Sequence, residues 1–104
     1  MRRVLFRPDA ETDLIAIALH VAEYSKERAA ALLARLRSRC EILHAHPFAG
    51  RPRPEFGADL RALVERPYVI LYRIAEHDAE IVAILHGARD LPATLAARLN
   101  SEES

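Results

Sequence analysis

The sequence predicts one α+β domain: an N-terminal strand and a helical hairpin packed on a small, mostly antiparallel sheet, in the order β-α-α-β-β-β with a short C-terminal helix. Three observations predict it. Residues 68–74 and 80–86 are two strand-like apolar runs joined by a short polar turn. Residues 10–43 carry two successive apolar stripes at helical spacing. The chain has 104 residues, 51% of them apolar, which suits one core without staples and argues against disorder.

The first strand is expected at residues 3–7, on Val4, Leu5 and Phe6. Pro8 fits the first turn of a helix, where its missing N–H costs nothing, and Asp9, Glu11 and Asp13 suit that end of the helix dipole. Ala10, Leu14, Ile17, Val21 and Tyr24 then form one stripe over about four turns. Ser25 can cap a second helix, whose stripe is Ala29, Leu32, Leu33, Leu36, Cys40 and Leu43. So few residues part the helices that they should form an antiparallel hairpin. Pro47 is expected to stop the second helix, with His44 and His46 at its dipole-favoured end.

Residues 46–57 hold three of the six prolines and two of the three glycines, which reads as a rigid surface loop. Residues 60–64 are the second strand, Glu65-Arg66-Pro67 a turn, and 68–74 a third strand apolar enough to be covered on both faces. Residues 76–79 make a hairpin turn into the fourth strand, 80–86. A short helix is expected over 91–99, on Leu91, Leu95 and Leu99, with the last five residues frayed.

Net charge is zero but unevenly spread. Residues 1–8 carry +3, 9–34 carry −3, 35–73 carry +4 and 74–104 carry −4. The basic middle is either a solvated arginine surface or a contact face for an acidic partner or a phosphate backbone. Cys40 is the only cysteine, so no internal disulfide forms, and its place on an apolar stripe suggests an inert buried thiol. No apolar run is long enough to span a bilayer, and Val4-Leu5-Phe6 is too short for a signal-peptide core, so the cytoplasm is expected.

No spacing of His44, His46 and His86 suits a metal site. No nucleophile motif and no glycine-rich phosphate loop is present. The residues left to carry function are Arg51, Arg53, Arg61, Tyr72, Arg73, His86, Arg89 and Asp90. Cross-strand pairing could bring Arg73 or Tyr72 to the fourth strand, and an Arg–Tyr–His group could clamp a phosphate and move a proton. The structural alternative pairs Arg73 with an acid such as Asp90 and places Tyr72 in the core.

Several stretches resemble the ParE branch of the RelE/ParE superfamily, the toxins of type II toxin–antitoxin modules. Ala10-Glu11-Thr12-Asp13-Leu14 with Ile17 is similar to that family's first helix. Leu43, Pro47 and Gly50-Arg51-Pro52-Arg53-Pro54-Glu55 are similar to its central loop, and Leu60-Arg61 to the start of the next strand. Residues 68–73 and 82–90 resemble its last two strands and exit. Ala18 and His20 stand where many relatives carry aromatic residues. The extreme C-terminus lacks the aromatic or histidine pair of RelE-type ribonucleases.

The resemblance implies a RelE/ParE-like fold and a bacterial toxin neutralised by a cognate ParD-like antitoxin in a hetero-oligomeric complex. DNA is then contacted only through the antitoxin, and neither cofactor nor metal is needed. It further implies growth arrest through inhibition of DNA gyrase, with Arg51, Arg53, Arg61, Arg73, His86 and Arg89 as the effector face and no catalytic residue. Leu19, Leu33 and Ile42 are the candidate antitoxin contacts. The alternative is a RelE-like ribosome-dependent endoribonuclease, in which Arg73 and Arg89 hold the phosphate and His86 or Tyr72 moves the proton. A third reading is a scaffold that kept the fold and lost toxicity.

Overall fold

The computed structural model describes residues 3–87 and 91–103, with side chains through Arg98. Its elements are β1 (Arg3–Phe6), α1 (Pro8–Ala22), α2 (Lys26–Glu41), β2 (Arg51–Pro52), β3 (Leu60–Glu65), β4 (Tyr68–Ile74), β5 (Asp78–His86) and α3 (Leu91–Glu103). The sheet order is β1-β5-β4-β3-β2. Among the described residues only β1 and β5 pair in parallel; the other pairs are antiparallel.

Both faces of the sheet are covered. The helical hairpin lays Ala10, Leu14, Leu32, Leu36, Cys40 and Leu43 over Leu63, Ile70, Tyr72, Ile81 and Ile84. On the opposite face, Leu91 and Leu95 of α3 cover Leu60, Ala62, Leu71, Val82, Ala83 and Leu85. This explains why β4 is apolar at almost every position: it is central, with each side chain meeting a helical layer or a paired strand.

Local chemistry sets the helix ends. Pro8 opens α1, with Asp9 and Glu11 in its first turn. The Ser25 hydroxyl accepts the Arg28 N–H at 3.1 Å and caps α2. Arg35 and Arg39 reach Glu65 on β3, and Arg37 reaches Glu11 on α1 while lying over the Phe6 ring. Much of the basic middle of the sequence therefore serves contacts between elements.

Several sequence expectations are corrected. Tyr24 is 80% exposed, because α1 ends at Ala22 and the stripe cannot continue beyond it. α2 ends at Glu41 and passes into a 3₁₀ turn, Ile42–His44, before Pro47 is reached. The proline-rich loop contains a further strand, β2, too short and proline-bearing to show periodicity. α3 runs on to Glu103. Along β5, Leu71 faces Ala83 while Tyr72 faces Ile81, so Val82 is an extra residue and strict alternation fails. This bulge is why Ile81 and Ile84, three apart, share one core. Burial pushes the Cys40 thiol up to about 12, consistent with an inert thiol.

Candidate functional site

The central loop and the strands beside it bring three of the expected arginines to one edge of the sheet. Arg51 lies opposite Ala62, Pro52 opposite Arg61, and the Arg53 N–H donates to the Leu60 carbonyl. Leu60 in turn lies opposite Arg73. By register, Arg51 and Arg73 sit on the α3 side, with Ala62 and Leu60, whereas Arg61 lies on the hairpin side opposite Tyr72.

The loop is pinned from beneath. The Tyr72 hydroxyl donates to the Pro47 carbonyl at 2.7 Å and accepts the Gly50 N–H at 2.9 Å. Tyr72 has no exposed surface. Arg61 Nε donates to the Gly50 carbonyl at 2.9 Å, and its Nη2 to the Phe48 carbonyl at 3.2 Å. Its guanidinium lies 5.2 Å from the Phe48 ring centroid. Gly50 is required by close approach: a Cβ there would stand 2.6 Å from Tyr72 Cε1 and 2.8 Å from the Ala62 carbonyl oxygen.

The remaining charges divide by local partner. Arg53 pairs with Glu55 at 2.9 Å and lies 4.5 Å over the Phe56 ring. A backbone hydrogen bond and then Arg53 hold the Glu55 carboxyl below its ordinary range. Arg73 pairs across strands with Glu80 at 2.8 Å. Arg51 is exposed and has no ion pair among the described residues. His86 pairs in register with Tyr68 and meets its ring edge-on at 5.7 Å. Five residues of β5 lie between His86 and Glu80, the position opposite Arg73, which is five paired steps along β4 or roughly 17 Å. The structure thus does not bring Arg73, Tyr72 and His86 together. Arg89 and Asp90 lie outside the described residues.

The candidate antitoxin contacts also differ among themselves. Leu19 is 65% exposed on α1, while Leu33 and Ile42 are half-buried against the hairpin core. Ile15, one turn before Leu19, is 57% exposed and adds to its patch. The sequence carried that signal as two apolar residues four apart, off the buried stripe. Beside this helix, Asp13, Ile17, His20, Tyr68, Ile84 and His86 line a groove of about 270 Å3. At its end Asp13 accepts the Ile84 N–H at 2.9 Å and both Arg98 Nη atoms, at 2.7 and 2.8 Å. Those bonds raise the Arg98 pKa. This clasp was invisible in sequence, because its two side chains lie 85 positions apart.

The hairpin-on-sheet domain thus carries a pinned arginine loop and an exposed apolar helix patch, and no metal-ligand group occurs among the described residues. The family model for the ParE toxin of the type II toxin–antitoxin system parDE matches residues 4–91, and the chain belongs to that family. A solved structure described as the chromosomal ParDE system from P. aeruginosa contains a similar chain. It is 25% identical, the match covers 83% of this chain and 96% of that one, and the TM-score is 0.73. No curated protein matches the chain. No helix among the described residues is long and apolar enough to cross a membrane.

Proposed function

We propose that this ParE-family toxin arrests growth by binding DNA gyrase rather than by cutting RNA, and that a ParD-like antitoxin neutralises it by direct contact. The observation that carries the binding mode is the state of the would-be catalytic group. The Tyr72 hydroxyl is buried and holds two backbone partners, and His86 lies at the other end of the strand pair from Arg73. A general acid or base must reach the proton it moves, and this pair cannot share one substrate phosphate. Purified toxin is expected to slow DNA supercoiling by gyrase and to leave ribosome-bound mRNA intact. Cleaved mRNA in that assay would overturn the proposal in favour of the endoribonuclease.

For the antitoxin, the exposed pair Ile15 and Leu19 offers anchors at the spacing an amphipathic helix recognises, whereas Leu33 and Ile42 contribute flanking, already packed surface. The similar chain's own ParDE system supports a ParD-like partner. Leu19→Glu is expected to weaken antitoxin binding while leaving the unfolding midpoint unchanged.

A further inference from the structure

We propose that Tyr72 and Arg61 are positioning residues: they fix the backbone from Pro47 to Arg53 so that Phe48 and Arg51 meet the target as one preformed contact. This rests on the binding reading above and names the part of the surface that does the binding.

Four hydrogen bonds from two side chains hold a loop that would otherwise be free to move. Tyr72 holds the Pro47 carbonyl and the Gly50 N–H, and Arg61 holds the Gly50 and Phe48 carbonyls. So much anchoring beneath a surface loop exceeds what connecting two elements requires. It does reduce the ordering cost of binding, which otherwise weakens an interface.

What the pinned loop displays is specific. Phe48 is 65% exposed, yet its carbonyl is bonded to Arg61 and its ring is braced by the same guanidinium. Arg51, three residues on and so within roughly 11 Å by chain reach, is exposed and has no ion pair among the described residues. Aromatic and arginine side chains are the types that dominate protein–protein hot spots. Arg53 and Arg73 are matched by Glu55 and Glu80, and the donors of Arg61 are turned inward onto two carbonyls. One available cation on the loop is poor provision for a phosphate backbone, whose binding rests on several neutralised charges. It suits a folded protein surface that offers a carboxylate beside an apolar cleft.

The test uses the full chain with three substitutions: Phe48→Ala, Tyr72→Phe and Arg61→Lys. Lysine keeps the charge but cannot hold two carbonyls in the guanidinium geometry. For Tyr72→Phe and Arg61→Lys, hydrogen exchange is read at the Arg53 amide, which neither side chain touches; it should quicken roughly tenfold as the loop loosens. All three should need roughly tenfold more protein for the same growth arrest, while the chains stay folded and still bind the antitoxin. An Arg53 amide as protected as in the parent, full potency of Phe48→Ala, or tight binding of RNA by the loop would overturn the proposal. Should the parent arrest growth without inhibiting gyrase while Phe48→Ala fails to arrest it, the gyrase reading falls and this one stands. A parent chain that arrests nothing removes both.

Discussion

Asp13 and Arg98 provide the sharpest test of how the helical layers are held to the sheet. The Asp13 carboxylate accepts the Ile84 N–H and both Arg98 Nη atoms, and the two side chains are only 11% and 19% exposed. The clasp sits where β1 stops pairing. β1 covers β5 only as far as Ile81, and the Ile84 N–H points into the space beyond. Asp13→Ala leaves that N–H without an acceptor, at about 1–3 kcal/mol. It also leaves a mostly buried guanidinium without its anion, and breaking a fully buried pair costs about 3–5 kcal/mol. Arg98 retains some solvent and a second acid, Asp9, at 4.0 Å, so the lower ends apply. The expected total is about 4 kcal/mol. Arg98→Ala spares the Ile84 bond and should cost about 2 kcal/mol. Asp13→Asn can still accept the N–H and should fall between the parent and Asp13→Ala. Urea unfolding of the singles and the double closes a cycle whose coupling is expected at about 1.5 kcal/mol. Single effects below about 0.5 kcal/mol with no coupling would refute the reasoning, because a solvated surface pair behaves that way.

Gly50→Ala drives a methyl into Tyr72 Cε1 and the Ala62 carbonyl, neither of which can swing away; a loss of about 1–3 kcal/mol in urea unfolding is expected. Ser25→Ala removes the α2 cap and should lower stability by about 1 kcal/mol, read in the same way. Cys40 should resist a thiol reagent at pH 8 until the chain unfolds. Burial pushes its folded pKa up to about 12 from the ordinary 9.0, so its contribution is fully present below pH 9 and lost as pH rises towards 12. Over that window its share of stability should fall by about 1.4 kcal/mol per pH unit, a slope absent from Cys40→Ala.

The elements legible in the sequence were those whose signal is local. The Pro8 start, the Ser25 cap and the two stripes state the hairpin outright, and the 68–74 run marks a central strand because nothing in it needs water. What escaped depends on partners distant in the chain. β2 exists because Arg51 and Pro52 find β3, not because two residues prefer to be extended. The bulge at Val82 follows from fitting β5 between β1 and β4, and no residue type there announces it. At the candidate site, residue types were legible and their employment was not. Arg51, Arg53, Arg61 and Arg73 looked alike in sequence, but the fold gives three of them intrachain partners and leaves Arg51 with no ion pair among the described residues.

On the proposed function, that division bears on how one small domain would meet two partners. The Ile15–Leu19 patch belongs to α1, over the β1–β5 side of the sheet, and the Phe48–Arg51 loop runs along the β2–β3 edge at the other side. An antitoxin anchored only on α1 would leave the loop free to act. Neutralisation therefore requires one of two things: a segment long enough to cross the hairpin and cover the loop, or a bulk that excludes the target sterically. The pinned loop favours the first, because a surface already ordered by Tyr72 and Arg61 offers low entropic cost to any chain that reaches it. Effective concentration would then do the rest: a segment tethered at Ile15 and Leu19 would need only weak affinity for the loop to outcompete a target in solution. Shortening the antitoxin from its toxin-binding end should restore growth arrest before it abolishes binding to α1, and loss of both at the same length would show that steric exclusion alone is at work.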